Sequence, residues 1–236
     1  AIAQNGGLYP DMRTVVPQHL QIQNTQQREY LRFSNGIANT GDGPWWMRPS
    51  FPISGQLPTQ DAIQEIHDAV GNVVLEKVVS RFAYHADHNH WHIDGVALYE
   101  VRVGSLTGPI FGSNSKKTTF CLIDWYTLEG NAPQTERLFG ECTATLPQGV
   151  SVGWVDQYKH NLPGQAMDMT GAPAGLYYLI STANPDGIFL EKDVSNNTAW
   201  VSFNLKRDSK GNAKIQITGH NACESPGLCG EFAPNR

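Results

Sequence analysis

Residues 72–104 read NVVLEKVVSRFAYHADHNHWHIDGVALYEVRVG, with two strand-like runs on either side of a histidine-rich segment. Both runs are dense in Val, Phe and Tyr, residue types that favour β-strands. The second run follows Gly95, a residue that commonly ends or bends a strand. This stretch predicts two neighbouring strands of a mainly antiparallel β fold.

Similar runs recur along the rest of the chain and end at Gly, Asn, Asp or Pro. They are EYLRFSNGIANTG (29–41), KTTFCLIDWYTL (117–128), GLYYLISTANPDG (175–187), TAWVSFNL (198–205) and AKIQITG (213–219). Asp68–Asn72 and Arg207–Ala213 have the composition of hairpin turns. The one segment that suggests a helical turn is TQDAIQEI (59–66). We therefore predict a single antiparallel β-sandwich domain over residues 1–236, with long loops and little helix. Residues 1–29 form an N-terminal segment packed on it, and 206–236 a C-terminal hairpin and disulfide loop.

Composition narrows the functional classes. The 236 residues include 23 glycines and 14 prolines, and only 17% are charged, which favours a loop-rich β protein. The net charge is −5 and no block of like charges occurs, so the sequence lacks the basic patch typical of nucleic-acid-binding proteins. No apolar run approaches the roughly 20 residues that span a bilayer. The start AIAQNGGLYPD is consistent with a mature N-terminus after signal cleavage.

The four cysteines allow three disulfide pairings. Their spacings favour Cys121–Cys142 and Cys223–Cys229, and neither pair has the spacing of a zinc ribbon. Disulfides indicate an oxidising compartment, so we expect a secreted or extracytoplasmic protein.

Four of the eight histidines fall within eight positions, at His85, His88, His90 and His92. On a strand, His88, His90 and His92 share one face. On a helix, His85, His88 and His92 would share one face instead, and His90 would point away. The flanking β pattern and Gly95 favour the strand triad. Imidazole ligands suit copper or zinc, and copper has the higher intrinsic affinity.

The chain resembles the lysyl oxidase family of copper-dependent amine oxidases. The resemblance rests on HADHNHWH (85–92), KTTFCLID (117–124), VGWVDQYKHN (152–161), QAMDMTGAPAGLYYLISTANP (165–185) and LEKDVSNN (190–197), which follow the order of the family's motifs. It implies that His88, His90 and His92 bind Cu²⁺. It also implies that Lys117 and Tyr158 form the family's lysyl-tyrosylquinone cofactor, with Lys116 as the alternative alignment for the lysine.

The implied activity is oxidative deamination of primary amines, with peptidyl lysine among the candidate substrates. Such an enzyme consumes O₂ and releases an aldehyde, ammonia and hydrogen peroxide. As general base we favour Asp156, which shares a strand face with Tyr158 when that segment is extended. His85 and His160 are the rival candidates.

Two features qualify the resemblance. Animal members carry a disulfide around the cofactor tyrosine, where this chain has Trp154 and Gly164, so the loop after Tyr158 lacks that cross-link. The family also implies a Ca²⁺ site, whose hard oxygen ligands would come from an N-terminal segment and the 190s. The corresponding residues here are Asp11, Met12, Glu191, Asp193, Asn196 and Asn197. The alternative for the latter segment is an Asx-rich turn without an ion.

Two other functions fit parts of the sequence. A non-catalytic extracellular metal-binding module of the adhesion type would explain the late strands 175–205 and a structural metal. A zinc hydrolase would use three histidines and a bound water. Neither requires Lys117 and Tyr158 beside the histidines, which favours the amine oxidase.

Overall fold

A computed structural model shows two antiparallel sheets packed face to face, and no helix among the residues that it describes. It describes residues 6–50, 59–85, 90–130, 136–143 and 146–235, without the side chains of His85 and Lys117. In this part of the chain no helix is long and apolar enough to cross a membrane. The predicted mainly-β sandwich is confirmed.

The larger sheet has nine strands in the order β10-β4-β5-β6-β7-β13-β14-β15, with β8 paired to β7. Its strands are β4 (Trp45–Pro49), β5 (Thr59–His67), β6 (Val73–His85), β7 (His90–Val103), β8 (Ile110–Phe120), β10 (Gln148–Val150), β13 (Gly175–Ala183), β14 (Thr198–Arg207) and β15 (Ala213–His220). The predicted turns after Asp68 and Arg207 join β5 to β6 and β14 to β15.

The smaller sheet has six strands around β3, which pairs with β1, β2, β11 and β12, while β9 pairs with β11. Its strands are β1 (Met12–Thr14), β2 (Gln18–Asn24), β3 (Glu29–Asn39), β9 (Tyr126–Thr127), β11 (Trp154–Tyr158) and β12 (Ala166–Asp168). The N-terminal strands β1 and β2 thus belong to this sheet.

The main core lies between the two sheets. Phe33 of β3 and Tyr99 of β7 are fully buried, and their rings meet edge-on with centroids 4.9 Å apart. Trp45 of β4 and Phe203 of β14 belong to the same cluster. Burial of such large side chains contributes about 1.5–3 kcal/mol each, so this layer supplies much of the driving force for folding.

Strand β7 changes partners along its length. Residues 90–93 pair with β6, and residues 97–103 pair with β13. Between them Gly95 has φ +74°, a left-handed conformation that glycine adopts without steric cost, and the pairing with β8 shifts register there. The histidine end of β7 thus pairs with β6 and lies next to the end of β8, because Ile93 pairs with Phe120.

Two local predictions need correction. The helical turn expected in TQDAIQEI is wrong, because Thr59–His67 forms strand β5. The continuous strand expected over 117–128 is interrupted, since β8 ends at Phe120 and β9 begins only at Tyr126. The Cys121–Cys142 and Cys223–Cys229 disulfides are both confirmed.

Candidate active site

The two described histidines of the cluster lie in the first residues of β7. His90 and His92 share one face of the strand, and their Nε2 atoms are 2.8 Å apart. The rings stack with centroids 4.8 Å apart. This extended backbone contradicts the helical triad, in which His90 would point away. His88 and the side chain of His85 lie outside the described residues, so the third member of the strand triad stays a prediction.

The spacing of the two Nε2 atoms suits neighbouring ligands of one metal ion. Metal–imidazole bonds are about 2.0 Å long, so two imidazole nitrogens that would hold one ion must lie less than about 4 Å apart. Nδ1 of His92 lies 2.9 Å from Oγ1 of Thr119 on β8. When Nδ1 donates its proton to that hydroxyl, Nε2 carries the lone pair that a metal requires. The donor set therefore fits copper or zinc.

Tyr158 reaches the same point from the smaller sheet. It is the last residue of β11 and pairs with Asn35 of β3. Its ring meets His92 edge-on, with centroids 6.3 Å apart, and its centroid is 4.2 Å from that of Phe120. The Tyr158 hydroxyl accepts a hydrogen bond of 2.7 Å from the backbone N–H of Cys121. The two sheets therefore bring the predicted cofactor tyrosine next to a predicted copper ligand.

The phenol of Tyr158 is protonated at neutral pH. Burial, and after it the charge of Asp156, raises the pKa of Tyr158 above its ordinary value, while the hydrogen bond from Cys121 opposes the shift. A phenol in this environment does not ionise unaided.

The predicted cofactor lysine lies on the neighbouring strand. The backbone of Lys117 pairs with Leu98 of β7, two residues before Thr119, and its side chain lies outside the described part of the chain. Lys116, the alternative lysine, donates a hydrogen bond of 3.0 Å from Nζ to the carbonyl oxygen of Gly164. Lys116 thus anchors the loop that follows Tyr158.

Asp156 is a buried carboxyl on β11, two residues before Tyr158. It is 2% exposed, and its Oδ2 has no hydrogen-bond partner among the described residues. Burial, and after it the charge of Asp124, raises the pKa of Asp156 well above its ordinary value, although backbone N–H groups of Gln157 and Ile123 oppose the shift. A buried carboxyl with a raised pKa in a cavity is a candidate for acid–base chemistry.

Asp124 is also fully buried, but unlike Asp156 it accepts hydrogen bonds at both carboxylate oxygens. Its carboxylate accepts hydrogen bonds from the backbone N–H groups of Leu138 (3.0 Å) and Phe139 (3.1 Å). It also accepts them from the backbone N–H and the hydroxyl of Ser151, both at 2.7 Å. Oδ2 of Asp156 lacks such hydrogen bonds among the described residues to stabilise its charged form, in keeping with the raised pKa of this carboxyl.

A cavity of about 540 Å³ opens in front of these side chains. The buried Asp156 and His92 lie at its floor. Trp125 and Leu162 line its mouth and are 43% and 37% exposed. The size and mixed lining suit a small organic ligand or a single extended side chain.

The sequence of residues 64–214, more than half of the chain, matches the lysyl oxidase family. The chain belongs to the lysyl oxidase family. It is 32% identical over 147 residues to lysyl oxidase homolog 3A of Danio rerio, and this alignment covers 61% of this chain and 18% of that protein. It is 30% identical over 143 residues to protein-lysine 6-oxidase of Sus scrofa, covering 60% of this chain and 49% of that protein. The aligned segment thus spans less than half of each relative.

Membership in the lysyl oxidase family gives the chain an amine oxidase family role, and the predicted family is confirmed. The loop of residues 159–165 contains no cysteine, and side chains from other segments anchor it. Nη1 of Arg32 donates a hydrogen bond of 3.2 Å to the carbonyl oxygen of Leu162, and Lys116 binds Gly164. Two cationic side chains therefore fix this loop.

His160, a rival general base, is not among the described residues that line the cavity. Its backbone N–H donates to the Ser34 hydroxyl at 3.0 Å, and its Nδ1 is 3.5 Å from the same oxygen. Nδ1 of His19 lies 3.0 Å from that hydroxyl, so the two histidines share one serine. Asp156 lines the cavity and is therefore better placed than His160 for acid–base chemistry, while the side chain of His85, the other rival, lies outside the described residues.

Most of the residues predicted for a calcium site lie close together, but the Asp193 carboxylate instead accepts hydrogen bonds from the backbone N–H and the hydroxyl of Ser195. Asp11 accepts hydrogen bonds from the backbone N–H of Asp193 (3.2 Å) and from Nδ2 of Asn196. Glu191 accepts one of 2.9 Å from the backbone N–H of Met12 and one of 2.8 Å from Nδ2 of Asn197.

The donor set of this cluster fits a hard cation. Oδ1 of Asn196 and Oδ1 of Asn197 are buried without a hydrogen-bond partner among the described residues. An amide can exchange its oxygen and nitrogen by a flip, so each could turn an oxygen towards an ion. Burial raises the pKa of Glu191, as expected for a carboxylate that lacks a cationic partner.

A further cluster with ligand-like spacing, His220 with Cys223 and Cys229, is not a metal site, because the cysteines are joined in a disulfide.

Sequence reasoning missed Thr119, Asp124 and Trp125. Thr119 could have been found from strand alternation with Lys117. Asp124 and Trp125 carry no local signal, since their positions depend on the loop between β8 and β9.

Proposed function

We propose that this protein is a secreted, copper-dependent amine oxidase that converts primary amines to aldehydes with a cofactor made from Lys117 and Tyr158. The single observation that carries the proposal is the position of Tyr158, whose ring lies edge-on to His92 while His92 and His90 direct Nε2 atoms at a common point. A structural metal site does not need an oxidisable phenol at its side.

In this proposal His88, His90 and His92 hold the Cu²⁺ ion. The bound copper and the cross-linked quinone supply the redox chemistry, with O₂ as the final oxidant. Thr119 fixes the tautomer of His92, and the Cys121 N–H fixes the Tyr158 oxygen. Asp156 takes the proton from the carbon next to the substrate nitrogen and returns it to solvent through the cavity that it lines.

The remaining features of the proposal agree with a secreted enzyme. The two disulfides suit an oxidising compartment. A Ca²⁺ ion held by Asp11, the Met12 carbonyl and the Glu191–Asn197 segment has a structural role, because this cluster shares no residue with the cavity lining. Peptidyl lysine is a candidate substrate, since the relative from Sus scrofa is a protein-lysine 6-oxidase.

The decisive experiment is peptide mass spectrometry after copper loading in air. We expect a cross-link that joins the peptides containing Lys117 and Tyr158, together with oxidation of a primary amine and release of hydrogen peroxide. Zinc-loaded protein and the Tyr158→Phe variant are the matched controls, and both should lack the cross-link. Fully copper-loaded protein without any cross-link would favour the non-catalytic metal-binding module instead.

A further inference from the structure

Among the described residues, the mouth of the active-site cavity carries two lysine ammonium groups, although the whole chain has a net charge of −5. Six described lining residues are ionisable: His90, His92, Lys116, Asp156, Tyr158 and Lys159. Lys116 and Lys159 are the lysines of this set, and Asp156 is its one carboxyl. Because Asp156 is buried at the floor, the described part of the mouth presents ammonium groups without a carboxylate beside them.

Lys159 is held in place by an aromatic side chain. Its Nζ lies 4.5 Å from the centre of the Trp125 ring, a cation–π contact. Lys116 is fixed across the mouth by its hydrogen bond to Gly164. Both ammonium groups are therefore positioned by the protein, so they cost less entropy to engage than mobile surface lysines.

A primary amine is cationic at neutral pH and must pass these ammonium groups to reach the floor. Like charges repel, and the repulsion grows where the cavity walls exclude water. A second positive charge on the substrate would increase this penalty, whereas an anionic group that stays at the mouth would offset it. Trp125 and Leu162 offer apolar surface for the chain that joins the two ends.

We propose that Lys116 and Lys159 select primary amines that carry an anionic group, with the amine at the floor of the cavity and the anion at its mouth. This inference rests on the proposed amine oxidase function and names its substrate class. Two kinds of molecule combine a primary amine with an anionic group in this way: a free ω-amino acid, and a peptide in which a lysine side chain lies beside an acidic residue.

The test compares three amines of equal length: 6-aminohexanoate, its neutral amide and 1,6-diaminohexane. For the copper-loaded, matured protein we expect kcat/KM for the carboxylate to exceed that for the amide about fivefold at low salt, the effect of one partly exposed ion pair. The diamine should be the poorest substrate. High salt should reduce the differences, because exposed charges are screened.

Substitutions assign the preference to the lysines. Lys159→Gln should reduce the ratio between carboxylate and amide, Lys159→Glu should reverse it towards the diamine, and Lys159→Arg should retain it. Lys116→Gln should reduce it as well. Lys214→Gln, on exposed β15, is the matched control and should leave the ratio unchanged. Equal kcat/KM values for all three amines, or a ratio that Lys159→Glu does not change, would overturn the inference.

A binding arm keeps this test separate from the proposed function. Isothermal titration calorimetry on Tyr158→Phe, which cannot form the quinone, should show tighter binding of 6-aminohexanoate than of 1,6-diaminohexane. Activity without charge preference would refute the lysine inference alone, and absence of any amine oxidation would refute the proposed function alone. A lysyl peptide flanked by glutamate, compared with one flanked by glutamine, distinguishes the peptide source from the free amino acid.

Discussion

At the residue scale, the site depends on the contrast between two buried carboxyls. Asp124 is surrounded by four hydrogen-bond donors, whereas Asp156 has one oxygen without a partner among the described residues. A negative charge on Asp124 therefore makes a second charge on Asp156 unfavourable. The raised pKa of Asp156 has consequences for both stability and turnover.

The stability of the protein should fall as the pH rises, because Asp156 must lose its proton in a buried site. A carboxyl whose folded pKa is raised stabilises the fold fully below its ordinary pKa of 3.8, and that contribution is lost as the pH rises through the folded pKa. Asp156→Asn cannot ionise, so its unfolding free energy should depend less on pH. Urea denaturation from pH 4 to pH 9 checks this, and parallel curves for both proteins would contradict it.

Turnover should require the ionised form of Asp156. As the general base, it gains activity as the pH rises through its raised pKa, whereas Asp156→Asn should lose about 10²–10⁴-fold in kcat, the usual contribution of proton transfer by a positioned group. Steady-state kinetics against pH, with cross-link formation measured separately, tests the assignment. An Asn variant with wild-type kcat and a complete cross-link would remove Asp156 from the mechanism.

The hydroxyl of Tyr158 should also stabilise the fold. Tyr158→Phe leaves the Cys121 N–H without its 2.7 Å partner, and an unsatisfied buried donor costs about 1–3 kcal/mol. Chemical denaturation of unmatured proteins, loaded with no metal, measures this difference. Tyr30→Phe, at a partly exposed tyrosine of β3, is the control. Equal stability of the Tyr158→Phe variant and the wild type would mean that this hydrogen bond is not formed in solution.

The site residues that sequence could predict are those that lie in local motifs. His90, His92 and Tyr158 were predicted from spacing and family resemblance, and the structure places them together at the end of the sandwich. Asp124 was not predicted, because only tertiary structure shows that its carboxylate meets Ser151 and lies behind Asp156.

At the element scale, strand β5 shows why the sequence pattern predicted a helical turn where the structure has a strand. The segment TQDAIQEI has polar residues at positions that face inwards, so it does not alternate like an ordinary strand. Gln64 is fully buried, and its amide exchanges two hydrogen bonds of 2.7 Å with the backbone of Leu190. The hydrogen-bond partner of this glutamine lies 126 residues away in the sequence, so the residues around Gln64 could not predict it.

The two disulfides should differ in their effect on stability. Cys121–Cys142 spans 21 residues and Cys223–Cys229 only 6, so loop-closure entropy predicts losses of about 3 and about 2 kcal/mol when each pair is replaced by alanine. Replacing the first pair should also disturb Tyr158, which bonds to the backbone of Cys121. Denaturation of the two double variants, with each the control for the other, measures both effects. A larger loss from the C-terminal pair would contradict this account.

At the scale of the whole molecule, the cluster around Asp11 and Glu191 connects distant parts of the chain. Asp11 directly precedes β1 of the smaller sheet, and Glu191 lies between β13 and β14 of the larger sheet. The contacts between them are hydrogen bonds to carboxylate oxygens, such as that from the Met12 N–H to Glu191. An ion in this cluster would therefore tie the two sheets together.

Calcium should accordingly raise the melting temperature of the whole domain. Any ligand that binds only the folded state stabilises it by about 2.7 kcal/mol at a hundredfold excess over its Kd, and 1 kcal/mol shifts Tm by about 2–4 °C in a domain of this size. We therefore expect Tm to rise by about 5–10 °C from a chelator to saturating Ca²⁺, measured by calorimetry. Glu191→Gln should abolish the response, whereas Glu231→Gln, at an exposed position, should retain it. The same Tm with chelator and with Ca²⁺ would mean that Asp11, Glu191 and the two asparagines form only a hydrogen-bonded turn. In that case the two sheets would depend on the apolar core and on these hydrogen bonds alone.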